Sequence, residues 1–166
     1  MHAKAILEIP EARLTAVCSR DFGKASEFAA LYGAKAYADA ADMVNDPGVE
    51  MVIICTPHPL HAGPAVLAAR AGRHVLVEKP LASSLKDCDD ILRAAEENGV
   101  QLGMVSQRRF YPPVQRVREA IDTGKIGRPV LGMVQMLGWR DEKYYRSDPW
   151  RGSWQGEGGG VLVNQA

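Results

Sequence analysis

The chain has 166 residues, with 20 Lys and Arg balanced by 20 Asp and Glu. This length allows one domain with a hydrophobic core and part of a second, and the balanced charge gives no electrostatic reason to expect nucleic acid or an anionic membrane as a partner. The chain has no run of the roughly 20 apolar residues that a membrane span needs and no signal-peptide stretch near Met1, so we expect a cytoplasmic protein.

The first half of the chain predicts helices that alternate with short buried strands. Apolar spacing at i, i+3 and i+4 indicates helices, and continuous apolar runs are typical of parallel strands covered on both faces. Gly33 is placed to end a helix, and the sequence Asn45-Asp46-Pro47-Gly48 indicates a turn. The predicted helices cover residues 2–9, 24–32 and 38–44, and the predicted strands cover residues 14–19 and 51–55.

The second half continues the alternation until about residue 125, after which the pattern changes. The predicted helices here cover residues 60–71, 85–97 and 113–122, and the predicted strands cover residues 74–78, 101–106 and 130–139. Strands alternating with helices predict an α/β fold, a doubly wound parallel sheet of the Rossmann type. A Trp-, Arg- and Gly-rich loop follows the last predicted strand.

Two features indicate a fragment of a longer protein. A doubly wound sheet begins with its central strand and a Gly-rich phosphate turn, yet this chain opens on a helix and contains no GxGxxG. A lone strand at 130–139 cannot form a stable sheet without partners. We therefore expect residues 1–122 to form a nucleotide-binding domain that lacks its first strand, and residues 123–166 to begin a second, truncated domain.

The cysteines do not predict a metal or disulfide framework. Cys18, Cys55 and Cys88 are widely spaced and odd in number, with no CxxC. Cys18 and Cys55 lie in apolar runs and are expected as buried, reduced thiols, which favours a reducing compartment.

Four motifs, taken together, resemble the Gfo/Idh/MocA family of oxidoreductases. They are AVCSRD, VIICTPHPLH, HVLVEKPLA and GGGVLVNQA, found at residues 16–21, 52–61, 74–82 and 158–166. EKP alone is a weak signal, but EKP after TPxxxH, each at the end of an apolar strand, is specific. The resemblance implies a nicotinamide-binding Rossmann domain followed by an α/β domain whose open sheet commonly mediates oligomerisation. It also implies NAD or NADP as cofactor, a sugar or cyclitol as substrate and a homo-oligomer at full length.

Lys79 is the main catalytic candidate. It follows a strand at the carboxyl edge of the sheet, where ligands of open α/β folds bind. Its ammonium could donate to a substrate hydroxyl and stabilise oxyanion character during hydride transfer. Glu78 could pair with Lys79 or contact the nicotinamide ribose, and Pro80 fixes the backbone after the lysine.

Thr56, Pro57 and His61 form a second predicted cluster, at the strand end where the cofactor should cross. His61 could cap the next helix or lie near the nicotinamide. His58 and His61 have HxxH spacing, but no acidic or cysteine ligand accompanies them, so no metal is expected.

Cofactor selection is expected at Ser19 and Arg20, which end the second strand of the expected complete sheet. An acidic residue there would bind the adenosine ribose diol and disfavour a 2′-phosphate. Ser19 and Arg20 can accept that phosphate, whereas Arg20 can also stack on adenine in an NAD complex. Both NAD and NADP stay open, with a slight lean to NADP tolerance.

Further site residues follow from the resemblance and from the C-terminal loop. Gln107 is expected near the nicotinamide, and Arg109 could face substrate or serve a structural ion pair. Trp150 and Arg151 suggest a loop that closes over cofactor or sugar, although core packing or a dimer contact would use the same residues.

Asn164 departs from the family pattern, which often has Asp at this place four residues before an acid/base His. Asn has no titratable proton but can still hydrogen-bond a substrate hydroxyl, so Asn164 is a catalytic and substrate-binding candidate beside Lys79.

The predicted function is NAD(P)-dependent hydride transfer to or from a secondary alcohol of a sugar or cyclitol. Two alternatives are a redox-assisted glycoside hydrolase with tightly held NAD and a non-catalytic NAD(P)-binding sensor or partner subunit. We expect the 166-residue chain by itself to be inactive.

Overall fold

The structure is a computed structural model that describes residues 1–160. Within these residues five strands alternate with α-helices. The strands are β1 (Ala16–Cys18), β2 (Lys35–Tyr37), β3 (Met51–Ile54), β4 (His74–Val77) and β5 (Leu102–Met104). The helices are α1 (His2–Leu7), α2 (Phe22–Tyr32), α3 (Ala40–Val44), α4 (Ala62–Arg70), α5 (Leu85–Glu97), α6 (Pro112–Asp122), α7 (Glu142–Arg146) and α8 (Trp154–Glu157). Short 3-10 turns lie at His58–Leu60 and Gln107–Phe110.

Every strand pairing in this part of the chain is parallel, which confirms the predicted α/β Rossmann-like class. The strands form two separate sheets, one of β1 and β2 and the other with the order β3-β4-β5. In the larger sheet Ile54 lies opposite Val77, and Val77 lies opposite Met104. The carboxyl ends of β3, β4 and β5 therefore meet at one edge.

Side-chain caps set where several helices begin. Asp21 accepts the backbone N–H of Lys24 at the start of α2, and Ser84 accepts that of Asp87 at the start of α5. These bonds satisfy amides that have no partner inside a helix. Helix α2 therefore begins two residues before the predicted position, and Gly33 ends it in a left-handed conformation, as predicted (φ 65°).

The hydrophobic core lies between the larger sheet and the helices α4 and α5. Val52, Ile54, Val75 and Val77 alternate inward from β3 and β4 and are almost fully buried. Small side chains of α4 face them, namely Ala65, Ala68 and Ala69. Because alanine is small, the backbone of α4 packs close to β3 and β4.

The strand predicted at 130–139 is wrong. Residues 127–139 form neither helix nor strand, and their side chains are exposed. A strand is stabilised by hydrogen bonds to a neighbouring strand, and no strand in the described residues lies beside this segment. The apolar pattern indicates strand propensity, but it does not indicate whether a neighbouring strand is present to pair with.

Three short elements were not predicted. Strand β2 has three residues. The side chains of Tyr37 and Lys35 both bind Asp46, in the turn after α3. These bonds, that of the Tyr37 hydroxyl above all, lower the pKa of Asp46 to about 2. Helices α7 and α8 lie in what was predicted as a loop. Each begins with a capping side chain, from Asp141 and Ser153 respectively.

The prediction of a buried thiol at Cys55 is also wrong, because this residue follows the last residue of β3 and is exposed at the sheet edge. Cys18 is partly buried. None of the helices among residues 1–160 is long and apolar enough to cross a membrane.

Candidate functional site

A cavity of about 270 Å³ lies at the carboxyl ends of β3 and β4. Residues of the predicted site follow both strands. Thr56 lies just after β3, and Glu78 and Lys79 follow β4 directly. The C-terminal part of the described chain covers the opposite side. The lining residues are Cys55, Thr56, His58, His61, Glu78, Lys79, Tyr144, Trp150 and Arg151.

Glu78 is fixed by two hydrogen bonds. The backbone N–H of Lys79 donates to Glu78 Oε2 (3.0 Å), and His2 Nε2 lies 2.7 Å from Glu78 Oε1. The start of α1 thus lies against the end of β4. Cys55 is exposed by surface area, but the protein atoms crowded around the strand ends still desolvate its thiol. This desolvation, followed by the Glu78 carboxylate, raises the pKa of Cys55, so Cys55 is a neutral member of the cavity wall at neutral pH.

His61 lies beneath the cavity and has no exposed surface. Its Nε2 is 2.8 Å from the carbonyl oxygen of Thr56, and its Nδ1 is 2.9 Å from that of Pro80. His61 is the N-cap residue of α4, as considered, but its side chain makes no capping hydrogen bond to that helix. The peptide bond between Lys79 and Pro80 is cis.

His58 joins the two parts of the chain. Its ring is buried, with Nδ1 3.3 Å from the carbonyl oxygen of Glu157 in α8 and the Trp150 ring 5.2 Å away. Because a carbonyl oxygen only accepts, Nδ1 must donate. Burial, more than any nearby charge, lowers the pKa of His58, so the ring is neutral at neutral pH.

Arg151 is held in place on the cavity wall by several partners. Its guanidinium donates to Asp148 (3.0 Å) and to the Tyr144 hydroxyl (2.8 Å), and it packs 4.5 Å from the ring centres of both Trp150 and Tyr144. The Arg151 side chain is 20% exposed. A fixed arginine therefore shares the cavity with Lys79.

The close approach of the end of α8 to Ser83 requires glycine. Gly158 has a φ of 70°, and a Cβ at this position would lie 2.5 Å from Ser83 Cβ. Ser83 follows the Lys79-Pro80 turn, so the C-terminal segment packs directly on the loop that carries Lys79.

Ser19 and Arg20 lie at the carboxyl end of β1, as predicted, with Arg20 exposed. The neighbouring Asp21 carboxylate is engaged by α2, and the backbone N–H of Lys24, the largest cause, lowers the pKa of Asp21. The Ser19 hydroxyl accepts the backbone N–H of Asp21 (3.2 Å).

Some predicted residues lie apart from the cavity. Gln107 and Arg109 belong to an exposed 3-10 turn after β5 and do not line it. Asn164 lies outside the described residues. Within residues 1–160 no group of three or more His, Cys, Asp or Glu side chains is arranged to hold a metal ion.

A larger hollow of about 470 Å³ lies between α4 and α5, away from the strand ends. Its walls include the exposed ion-pairing side chains Asp90 and Arg93. It is lined by none of the predicted site residues, so the smaller cavity is the candidate functional site.

Sequence reasoning missed His2 and Tyr144 as parts of this site. His2 is 76 residues from its partner Glu78, and such a distant contact leaves no local pattern. Tyr144 could have been found from its neighbourhood, since it lies in the same aromatic and basic stretch as Trp150 and Arg151.

The chain matches known proteins over nearly its whole length. Residues 1–106 match the oxidoreductase family described as an NAD-binding Rossmann fold, and residues 114–166 match the GFO/IDH/MocA C-terminal domain. Among solved structures, the WlbA dehydrogenase from Bordetella pertussis in complex with NADH and UDP-GlcNAcA superposes with a TM-score of 0.91 at 32% identity, over 99% of this chain and 47% of that one.

Two curated relatives are equally similar to this chain in sequence. The 1-carboxy-3-chloro-3,4-dihydroxycyclo hexa-1,5-diene dehydrogenase of Comamonas testosteroni is 37% identical over 80% of this chain and 33% of its own length. Inositol 2-dehydrogenase of Salmonella paratyphi B is 37% identical over 71% of this chain and 36% of its own. The chain thus spans about a third of the length of these relatives. On these matches, this chain belongs to the Gfo/Idh/MocA family of oxidoreductases.

Proposed function

We propose that this chain forms the cofactor-binding unit and one wall of the substrate pocket of an NAD(P)-dependent dehydrogenase or reductase. The substrate is a sugar or cyclitol that reacts at a secondary alcohol or ketone. The observation that carries this proposal is the position of Lys79, which lines a cavity at the carboxyl ends of parallel strands opposite Tyr144, Trp150 and Arg151.

The residues at the strand ends fit a nicotinamide dinucleotide. Ser19 and Arg20 end β1, Thr56 ends β3, and Glu78 ends β4 with part of its carboxylate exposed. Hydroxyl, guanidinium and carboxylate groups are suited to ribose, phosphate and amide groups, and dinucleotides bind along this edge of open α/β sheets. The cofactor, when bound, supplies or accepts the hydride. Gln107 is proposed as a further contact and Pro57 as part of the backbone wall.

Lys79 is proposed to donate a hydrogen bond to the reacting oxygen of the substrate. The ammonium stabilises the negative charge that develops on that oxygen during hydride transfer. Glu78 holds the backbone N–H of Lys79 and thereby orients the start of the side chain.

Arg151 supports a substrate with an anionic or strongly hydrogen-bonding substituent. Its guanidinium is prearranged by Asp148 and Tyr144 and lines the same cavity as Lys79. Two fixed cations favour a ligand with acceptor groups on either side of its ring. Arg109 and Asn164 are proposed as further substrate contacts.

We also propose that residues 1–122 are the cofactor domain and residues 123–166 the start of a second domain in a protein of about the relatives' length. On the family resemblance alone, we propose that this protein forms a homo-oligomer. Two observations support the greater length. The chain spans about a third of its curated relatives, and β1 and β3 belong to separate sheets, so a further strand would complete one continuous sheet.

The test is an assay of a protein of that length for reduction of NAD⁺ or NADP⁺ by a panel of sugars and cyclitols, with and without a carboxylate. Release of free NADH or NADPH in step with substrate oxidation is expected. Glycoside cleavage without net NADH would favour the hydrolase alternative instead. Cofactor binding without turnover of any substrate would favour a sensor or partner subunit.

A further inference from the structure

The hydrogen-bond ladder between β3 and β4 stops at a proline. Every second residue of β4 donates to β3, as His74 N donates to the Glu50 carbonyl (3.0 Å) and Glu78 N to the Ile54 carbonyl (3.0 Å). The next donor in this series would be the residue at position 80, and its acceptor would be the carbonyl of Thr56. Pro80 has no N–H, so the ladder cannot supply this bond.

His61 supplies the missing donor. Its Nε2 lies 2.8 Å from the Thr56 carbonyl oxygen, at the point where a backbone N–H from position 80 would otherwise bind. Its Nδ1 lies 2.9 Å from the carbonyl oxygen of Pro80 and 3.3 Å from that of Leu81. One ring thus joins the end of β3 to the turn that follows Lys79.

The partners of the ring indicate which nitrogen donates. Carbonyl oxygens only accept hydrogen bonds. The 2.8 Å contact between His61 Nε2 and the Thr56 carbonyl oxygen is therefore a hydrogen bond only if Nε2 carries hydrogen.

We propose that His61 is a positioning residue, whose Nε2–H replaces the ladder donor that Pro80 lacks and whose ring, placed against the Pro80 carbonyl, thereby holds Lys79 at the cavity. This rests on the proposed function only for the role of Lys79. Other titratable groups at this end of the sheet are His58, whose ring centre is 5.8 Å from that of His61, together with Cys55, Glu78 and Lys79. His2 contacts Glu78, and Glu157 lies against His58.

The coupling explains why two separated motifs occur in one site. The threonine and histidine of TPxxxH provide the acceptor and the donor, and the proline of EKP creates the need for that donor. His61 has no exposed surface, so its effect on a substrate must pass through the backbone of the turn. It acts on Lys79 through Pro80 and is not itself a catalytic residue.

The first measurement is the protonation of the histidine rings in the unsubstituted protein, by ¹⁵N NMR at neutral pH. We expect His61 Nε2 to carry hydrogen. His74 is the internal control, because its Nδ1 accepts the backbone N–H of Gln101 (3.0 Å) and so must carry no hydrogen. A bare Nε2 in His61 would overturn the proposal without any reference to enzyme activity.

The second measurement uses His61→Phe, which keeps a ring but removes its nitrogens, and His61→Gln, which keeps a donating amide. Misplacement of a reacting group by about 1 Å can cost about 10²-fold in rate. We expect kcat to fall by about that factor in His61→Phe and less in His61→Gln, with KM for the cofactor within a few-fold of the parent. His74→Gln, at the other end of β4, should leave kcat unchanged.

The third measurement is amide hydrogen exchange at Glu78 and Val105, whose N–H groups make ladder bonds at this end of β4. Exchange should be faster in the two His61 variants and unchanged in His74→Gln. Parent-like exchange and kcat in both His61 variants would overturn the positioning role. If His61→Phe does not fold, His61→Gln decides. If no redox activity is found, the proposed function fails, whereas the NMR and exchange results still decide the role of His61.

Discussion

The role of Lys79 rests on one side chain and can be tested by removing it. In a protein of the relatives' length, Lys79→Ala should lower kcat by at least about 10²-fold, the usual scale for an acid/base or electrostatic group. Cofactor affinity should change little, because cofactor contacts are distributed over several strand ends. Steady-state kinetics measure both. Lys86→Ala is the matched control, since Lys86 is an exposed lysine of α5 that pairs with Asp90, and near-normal turnover of Lys79→Ala would remove Lys79 from the mechanism.

Cofactor preference is predicted to depend on Ser19. Ser19→Asp should shift preference toward NAD by about tenfold or more, the ratio that corresponds to ~1.4 kcal/mol, because a carboxylate repels a 2′-phosphate and binds the ribose diol. The measurement is the NADP/NAD ratio of kcat/KM. Ser26→Asp adds the same charge within α2 and should leave the ratio unchanged. An unchanged ratio in Ser19→Asp would mean that this strand end does not select the cofactor.

Single residues were predictable where a motif ends a strand. Glu78, Lys79 and Thr56 line the cavity because a buried apolar run fixes the strand and the motif then falls at its carboxyl end. The partners of Glu78 and His61 were not predictable. His2 and Pro80 reach them only through the packing of α1 and of the turn after β4, which no local spacing reports.

The docking of α8 on the turn at His58–Leu60 should depend on pH through His58. Burial lowers the pKa of His58 in the folded state, so a protonated ring is less stable under α8 than in water and protonation favours release of α8. Docking is then fully stable above the ordinary histidine value of about 6.5 and weakens as the pH falls through the lower folded-state pKa. Glu157, His61, Lys79 and Trp150 face this ring.

Tryptophan fluorescence on mild acidification measures this undocking, because Trp150 packs on His58. We expect a fluorescence change below pH ~6.5 in the parent. The change should be absent in His58→Phe, which keeps the ring contact and removes the titration. Persistence of the same change in His58→Phe would assign it to another group.

The approach of α8 to Ser83 should make Gly158 sensitive to a single methyl group. Gly158→Ala places Cβ 2.5 Å from Ser83 Cβ, and overpacking of this kind typically costs about 1–3 kcal/mol. Gly152→Ala is the matched control, because Gly152 has a similar φ of 72° but its nearest non-local atom would be 3.5 Å from the new Cβ. The free energy of unfolding in urea should fall further in Gly158→Ala, and equal losses in the two variants would show that only backbone strain matters.

Whole helices and strands were predictable where the apolar spacing repeats over enough residues to show a helical or strand period. Helices α2, α4 and α5 and strands β3 and β4 are close to their predicted positions, because alternating or helical spacing repeats over several residues. Strand β2 includes Lys35 and lies in no apolar run, whereas β1 and β5, which are equally short, lie inside longer apolar runs. The run at 130–139 has strand composition but no partner, and composition alone cannot supply one.

The chain of residues 1–166 by itself is predicted to associate and to bind NAD(P)H weakly or not at all. Strands β1 and β3 leave unpaired edges in the described structure, which favours association, and exposed apolar side chains such as Val130, Val134 and Trp139 add to it. Light scattering and fluorescence titration with NAD(P)H measure the two properties. A monodisperse monomer that binds NAD(P)H with micromolar affinity would contradict this prediction.

The architecture of the whole molecule was predictable as a class because alternation of strands and helices constrains topology. The division into two sheets was not predicted from the sequence. It follows from pairing: β1 has β2 as its neighbour, and β3 has β4, whereas no ladder joins β1 to β3 in the described residues. Hydrophobic patterns identify strands but do not state which strands are adjacent.

The separation into two sheets also has a kinetic consequence. Each ladder joins strands that follow one another along the chain, β1 with β2, β3 with β4, and β4 with β5. Each pairing closes a crossover of 19 to 27 residues that contains a helix, so chain entropy is lost before the strand contacts form, and parallel pairing of this kind is slow. Helix α3 contacts both β1 and α4 and so links the halves. Such a chain can acquire its order in two steps, with the smaller sheet and the larger sheet as separate cooperative units linked by α3.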